Sequence, residues 1–150
     1  MLEVKLINAE DTYGIRHKVL RPNQDLADCK FDHDHDKDSF HVGAFLEDKL
    51  ISIASFYNEI NSDIEGDLQY RLRGMATLEE YRVQKAGSSL IQYGEKILKE
   101  RNVNVWWCNA RIAVSDYYKK LGLDEKGDVF DIHPIGPHKL MYKKLICRNL

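Results

Sequence analysis

The hydrophobic positions of this chain recur with two different periods, and each period predicts its own kind of secondary structure. Apolar residues alternate with other residues in 40–46 and 68–77, and they fill most of 50–57 and 103–108. These four segments are predicted to be strands. The polar residues Glu47, Asp48 and Lys49 separate the strands predicted at 40–46 and 50–57, so the sequence predicts a β-hairpin there.

The helical period is clearest in residues 85–101. Its apolar positions, spaced i, i+1, i+4, i+7 and i+8, are Leu90, Ile91, Gly94, Ile97 and Leu98, which is typical of an amphipathic helix. The other predicted elements are a helix capped by Asn8 and ended by Pro22, a short helix at 113–121, and strands at 3–7, 129–132 and 139–145. The predicted order is therefore β-α-β-β-β-α-β-α-β-β.

The composition fits a folded globular chain. Of the 150 residues, 43% are hydrophobic and 31% are charged, with 9 Gly and 3 Pro. This proportion of apolar residues excludes disordered and collagen-like chains. Because no repeat, linker or compositional shift divides the sequence, we expect a single domain over 1–150.

The charge balance limits the classes of partner. The 22 Lys and Arg against 24 Asp and Glu give a formal charge of −2, so we expect no nucleic-acid partner. No apolar run approaches the roughly 20 residues that cross a bilayer, and the N-terminus lacks a signal-peptide pattern. We therefore expect no membrane partner and a cytoplasmic location.

Cysteine and histidine positions argue against a metal centre. Cys29, Cys108 and Cys147 are widely spaced and odd in number, which favours reduced thiols over disulfides or a zinc site. Residues 32–38 alternate Asp and His like a ligand cluster, but a loop of this kind imposes no fixed geometry. We interpret it as a solvated loop and predict no metal.

The most informative segment runs from strand to turn to helix over residues 72–90. Its small residues bring several backbone N–H groups to a helix start, where the helix dipole favours an anion such as a pyrophosphate. An ordinary strand-to-helix turn has the same composition, and composition does not distinguish the two.

This segment resembles motif A of the GNAT family of N-acetyltransferases, whose signature is Gln/Arg-x-x-Gly-x-Gly/Ala. Arg82 and Gly87 match, whereas Lys85 stands where the family usually has glycine. A lysine there is awkward if the turn needs a positive φ, yet its ammonium would also reach a diphosphate. The segment around Tyr118 and Gly122 resembles the family's late Tyr-x-x-x-Gly-Phe segment, so the likeness covers essentially the whole chain.

The resemblance implies an α/β fold with a mixed, mostly antiparallel sheet of six to seven strands, split between strands 4 and 5 and flanked by about four helices. It also implies that acetyl-CoA is the co-substrate and that it binds in this split. The residues expected to contact acetyl-CoA are Met75, Ala76, Thr77, Arg82, Val83, Gln84, Lys85, Ala86, Gly87, Ser88 and Asn109.

The resemblance further assigns Tyr118 as the proton donor to the leaving thiolate, in preference to its neighbour Tyr117. The general base is harder to assign, because Arg71 occupies the position where some relatives carry a glutamate. Its candidates are His138, which we favour, His41 and Glu59. A water relay or desolvation of the amine is the alternative.

The sequence therefore predicts an N-acetyltransferase that transfers acetyl directly from acetyl-CoA to a primary amine of a small or amino-acid-like molecule. A non-catalytic acyl-CoA-binding or regulatory domain of the same fold is the alternative. The roles of Arg16, Arg21 and Asn23 stay open between an acceptor pocket and the surface. The lysine-rich last strand either protects an exposed edge or pairs with a second copy in a homodimer.

Overall fold

The computed structural model describes residues 1–145, and the side chains of Val83 and Gln84 lie outside this description. The strands are β1 Leu2–Ile7, β2 Phe40–Leu46, β3 Lys49–Asn58, β4 Gln69–Thr77, β5 Val105–Arg111, β6 Asp124–Ile132 and β7 Gly136–Lys144. The α-helices are α1 Ala9–Ile15, α2 Ala86–Glu100 and α3 Ser115–Lys120. Shorter helical turns are the π-helical Arg16–Leu20 and the 3-10 turns Leu26–Cys29, Glu79–Gln84 and Ile112–Val114.

The strands form a seven-stranded sheet in the order β1-β2-β3-β4-β5-β7-β6. The β4–β5 pair is parallel and joins Gln69–Arg71 to Val105–Trp107, while the β1–β2, β2–β3, β5–β7 and β6–β7 pairs are antiparallel. The predicted mixed sheet is confirmed. The described residues form three α-helices rather than about four, because the segment between α1 and β2 holds only a π-helical turn and a 3-10 turn.

Contacts divide the chain into two compact units. Unit 1 contains Met1–Asn58 and Leu72–Leu98, and unit 2 contains Glu59–Arg71 and the chain from Lys99 onward. Strand β4 therefore contributes to both units. The single domain expected from the sequence stays a prediction.

Unit 1 is built on the β2–β3 hairpin. Glu47 and Asp48 have φ values of 50° and 67°, the left-handed pair that a two-residue hairpin turn requires. On one face of the hairpin, Ile53 packs with Ile15, Ala76 and Leu78 in a buried cluster. The N-terminus of α1 carries the predicted Asn8 cap, which forms a capping box with Asp11.

Helix α2 packs closely against β3 at a glycine. A Cβ on Gly94 would lie 2.5 Å from the ring of Phe56, so a larger residue there would displace the ring. The apolar face predicted for this helix is largely buried, since Leu90, Ile91 and Leu98 are each at most 3% exposed.

Unit 2 has its own apolar cluster around the central strand β5. Trp107 and Val105 pack with Ile64 and Leu140, and the adjacent Trp106 is fully buried. Adjacent strand residues point to opposite faces, so the two tryptophans fill both sides of β5, as their position in a buried strand predicts. Within residues 1–145, no helix has the length and apolarity to span a bilayer.

Candidate active site

Strand β4 leads to helix α2 through a turn that ends in a left-handed residue. Lys85 has φ 57° and ψ 26°, a conformation that glycine adopts freely and other L-residues adopt at a cost of about 1–2 kcal/mol. The chain then enters α2 through the small residues Ala86, Gly87 and Ser88. The first amides of a helix lack partners within the helix, and the helix dipole favours an anion beside them.

The backbone of β4 offers hydrogen-bonding groups on the edge away from β3. Ser52 of β3 donates to the carbonyl of Ala76 over 3.1 Å, and the amide of Leu78 donates to a β3 carbonyl over 2.8 Å. Because alternate residues direct their backbone groups to opposite edges of a strand, those of Met75 and Thr77 point away from β3. These two residues can therefore bind an extended ligand as an added strand does.

The remaining predicted cofactor residues of unit 1 surround this segment. Arg82 and Lys85 are exposed, Ala86 is buried, and Gly87 and Ser88 are half-buried. Val83 and Gln84 belong to the 3-10 turn before Lys85, and their side chains lie outside the described part of the chain. Unit 1 thus brings together the strand end, the turn and the helix start that the motif predicts.

Tyr118 lies in α3 of unit 2, where its side chain is 9% exposed. Burial raises the pKa of Tyr118 well above its ordinary value, and nearby Cys108 and Tyr117 raise it further. The phenol therefore stays protonated and able to donate. Burial also raises the pKa of the Cys108 thiol to about 12, so Cys108 is a neutral neighbour rather than a nucleophile.

His138 lies on β7 and is 4% exposed. Its Nδ1 is 2.7 Å from the carbonyl oxygen of Gly136, so Nδ1 carries the proton and donates, which leaves the lone pair on Nε2. The ring stacks on Phe130 with centroids 6.1 Å apart. Asn109 is half-buried on β5. Tyr118 lies near Cys108 and Tyr117, whereas His138 lies near Gly136 and Phe130.

Arg71 occupies the position where some family members carry a glutamate, and here it pairs with one. Its Nη1 is 3.2 Å from Oε2 of Glu59, and its guanidinium lies 5.0 Å from the ring centroid of Trp107. The Trp107 indole donates to the carbonyl oxygen of Glu59 over 3.0 Å. Glu59 is therefore held by two residues, and its carboxylate faces a cation.

Unit 1 also contains a buried ion pair that the sequence analysis did not identify. Arg16 is fully buried and donates to the Asp34 carboxylate over 2.8 and 3.1 Å, and Tyr57 donates to the same carboxylate. Burial alone would raise the pKa of Asp34, but the hydrogen bonds from Arg16 and Tyr57 outweigh it and hold that pKa below its ordinary value. An arginine on an early helix and an aspartate in a polar loop carry no sequence signal for such a pairing.

His41 belongs to the same network. Its Nδ1 lies 2.6 Å from Oγ of Ser55, and its Nε2 lies 2.9 Å from the carbonyl oxygen of Asp34. Burial lowers the pKa of His41. Both nitrogens are occupied within the protein, so the structure does not support His41 as a base for an acceptor amine.

The Asp and His residues of 32–38 separate rather than converge. Asp34 points to Arg16, while His33 pairs with Asp36 and His35 with Tyr13. Among the described residues, no three His, Cys, Asp or Glu side chains are grouped closely enough to hold a metal ion.

A model of the acetyltransferase (GNAT) family matches residues 6–123 of the chain. The chain belongs to the GNAT family. It is 54% identical over 145 residues, 97% of each sequence, to an uncharacterized N-acetyltransferase, YitI, of Bacillus subtilis (strain 168). The fold is similar to that of an aminoglycoside 6'-N-acetyltransferase complexed with coenzyme A, with a TM-score of 0.77, 13% identity and 99% of each chain covered. It is also similar to a GNAT-family acetyltransferase from Staphylococcus aureus, with a TM-score of 0.74, 13% identity, and 97% and 100% of the two chains covered.

This GNAT protein is an acyltransferase that uses acetyl-CoA, as its family does. The residues of unit 1 fit that co-substrate, because the backbone groups of Met75 and Thr77 in β4 point away from β3 and α2 begins with small residues behind a left-handed turn. The left-handed φ of Lys85 is one that glycine, the residue of the family motif at this position, adopts without strain.

Proposed function

We propose that this acetyltransferase transfers the acetyl group of acetyl-CoA to the primary amine of a small or amino-acid-like molecule. The observation that carries the proposal is the geometry of β4, the Lys85 turn and the start of α2, which suits an extended arm ending in a diphosphate. The formal charge of −2 supports a small acceptor over a polyanionic one.

In this proposal Met75 and Thr77 bind the pantetheine arm through their backbones, and the first turn of α2 binds the pyrophosphate. The exposed side chains of Arg82 and Lys85 add positive charge beside the phosphates. Asn109 stays a predicted contact to the co-substrate from β5.

The acceptor must lose a proton before it attacks the thioester. An amine with a pKa of about 10.4 is protonated at pH 7 by a margin of about 4–5 kcal/mol. We propose that Nε2 of His138 receives this proton, because the hydrogen bond from Nδ1 to Gly136 leaves Nε2 as the basic atom.

Tyr118 is proposed to stabilise the leaving thiolate of coenzyme A. A thiol has a pKa of about 8.5, and burial raises the pKa of the Tyr118 phenol further above that value. Complete proton transfer from Tyr118 is therefore uphill, and its role is to donate a hydrogen bond to the sulfur as negative charge develops.

Calorimetric titration with acetyl-CoA tests the binding step. Gly87→Glu places a carboxylate and added bulk at the start of α2, so we expect affinity to fall by at least about tenfold. Gln92→Glu is the matched control, because it adds the same charge to the same helix at an exposed position. Equal affinity of the two variants would contradict the proposed pyrophosphate site.

Release of coenzyme A thiol in the presence of a panel of small primary amines tests the transfer step. Amine-dependent release by wild type, with loss in Gly87→Glu, would support the proposal. Binding of acetyl-CoA with no amine-dependent release across the panel would contradict a small primary-amine acceptor. The cytoplasmic location and the homodimer stay predictions.

A further inference from the structure

Three arginines of unit 1 converge on one aromatic ring. The guanidinium carbons of Arg16, Arg73 and Arg21 lie 4.0, 4.4 and 5.0 Å from the ring centroid of Phe31. Arg16 and Arg21 lie at the two ends of the π-helical turn after α1, whereas Arg73 belongs to strand β4. Positive charge is therefore concentrated around Phe31, which is itself half-buried.

The positive charge of Arg16 is already neutralised. Arg16 is fully buried and bound to the Asp34 carboxylate, so its role is to hold the 29–34 turn in place. Arg21 is half-buried and donates to two neutral oxygens, the carbonyl of Asp28 at 2.8 Å and Oε1 of Gln24 at 3.5 Å. Neither hydrogen bond cancels the charge of Arg21.

A glycine in β4 makes this convergence sterically feasible. Gly74 has a φ of +63°, and a Cβ there would lie 3.1 Å from Cε2 of Phe31 and 3.2 Å from Nε of Arg16. Gly74 stands between Arg73 and Met75, so the same local backbone positions Arg73 beside Phe31 and begins the segment proposed to bind pantetheine.

The direction of β4 relates this cluster to the reaction. If the pyrophosphate lies at residues 86–88 and the arm contacts Thr77 and then Met75, the thioester end of acetyl-CoA points back along β4 towards Arg73. Residues two apart on a strand are separated by about 7 Å. The cluster around Phe31 therefore lies at the acceptor end of the co-substrate, away from the phosphates.

We propose that Arg21 and Arg73, with Phe31 between them, bind a carboxylate of the acceptor, so that the substrate is a primary amine that also carries a carboxylate. Guanidinium groups are the usual partners of carboxylates because their planar donors match both oxygens. This inference rests on the proposed function and names the acceptor class within it. It also assigns a role to Arg21 and Arg73 as specificity-determining residues.

Acceptor pairs that differ by one carboxylate test the inference. L-phenylalanine is compared with phenethylamine, L-lysine with cadaverine, and γ-aminobutyrate with butylamine, by thiol release at saturating acetyl-CoA. We expect kcat/KM to be higher for the carboxylate-bearing member of at least one pair. Arg73→Gln and Arg21→Gln should lower that preference by about 10- to 100-fold, the usual contribution of a charged hydrogen bond, while the decarboxylated partner changes little.

Lys30→Gln is the matched control, because Lys30 is an exposed cation of the same turn that faces the ring of Tyr13 instead of Phe31. It should leave the preference unchanged. A thermal unfolding curve for each variant shows that the fold is retained. A preference of wild type for the decarboxylated amines, or an equal loss of both members of a pair in Arg73→Gln, would overturn the inference.

Binding of acetylated products separates this inference from the proposed function. N-acetyl-L-phenylalanine and N-acetylphenethylamine are titrated into the protein without acetyl-CoA. If wild type acetylates no amine, the proposed function fails. The anion site would still be supported if N-acetyl-L-phenylalanine binds more tightly than N-acetylphenethylamine and this difference is lost in Arg73→Gln. Equal binding of the two products would overturn the site whatever the outcome of the activity assay.

Discussion

Tyr118 shows how burial adapts one side chain to one task. Because burial raises the pKa of its phenol above the ordinary value of about 10, Tyr118 remains a hydrogen-bond donor at neutral pH. Tyr118→Phe should lower kcat by about 100-fold, within the range for removal of one hydrogen-bond donor to a developing negative charge, and leave the KM for acetyl-CoA within a few-fold. Steady-state thiol release measures both constants.

Tyr117→Phe is the control for this variant. Tyr117 is adjacent, its ring is 5.5 Å from that of Tyr118, and its side chain is exposed, so the removal of its hydroxyl should change kcat little. Similar kcat values for Tyr118→Phe and wild type would show that another group stabilises the thiolate.

Single residues also show where sequence reasoning was limited. The departure of Lys85 from the glycine of the family motif was visible in the sequence, but its left-handed backbone was not. Similarly, Arg16 has the sequence context of a surface residue on a helix, whereas it is fully buried. Backbone dihedral angles and long-range ion pairs depend on contacts between distant segments, which local periodicity does not report.

At the scale of elements, the Arg16–Asp34 pair fixes the irregular segment between α1 and β2. Both side chains are at most 1% exposed, and a buried charge without its partner costs about 3–5 kcal/mol. Arg16→Met and Asp34→Asn should each lower the free energy of unfolding by about this amount. The double variant should lose much less than the sum of the two losses, as measured by urea denaturation followed by circular dichroism.

The exposed ion pair between Lys119 and Glu125 is the control for this comparison of single and double variants. Both side chains are at least 30% exposed, so Lys119→Met and Glu125→Gln should show a far smaller coupling. If the losses for Arg16→Met and Asp34→Asn simply add, the two residues do not act as a pair.

The regular elements were predictable where their residues are largely buried. The β2–β3 hairpin and α2 were predicted within two residues of their observed ends. Strands β2 and β3 are buried along most of their length and are rich in apolar residues, and α2 buries one face and so has a clear helical period. Strand β6 starts at Asp124, five residues before its predicted start, since its first six residues are all exposed and have no apolar alternation. Residue periodicity likewise did not distinguish the π-helical turn Arg16–Leu20 from a continuation of α1.

At the scale of the whole molecule, the buried network of Asp34 and His41 couples folding to pH. Burial lowers the pKa of His41 against the attraction of Asp34, so between the folded value and the unfolded value of about 6.5 the unfolded chain binds more protons. Stability therefore rises with pH in this window and is lost as the pH falls below about 6.5. The lowered pKa of Asp34 acts in the same direction at lower pH, because below about 3.8 the carboxylate binds a proton in the unfolded chain before it does in the folded protein.

The free energy of unfolding should therefore decrease below about pH 6.5. His41 contributes at most about 1.4 kcal/mol per pH unit to this decrease. Urea denaturation at pH values from 7.5 to 4.5 measures it. His41→Gln should remove this slope whatever its effect on stability at pH 7.5, because glutamine does not titrate. His33→Asn should keep the slope, since His33 is exposed and its left-handed backbone is one that asparagine tolerates. A slope that persists in His41→Gln would assign the pH dependence to other groups and would mean that the imidazole of His41 is not held neutral by its burial.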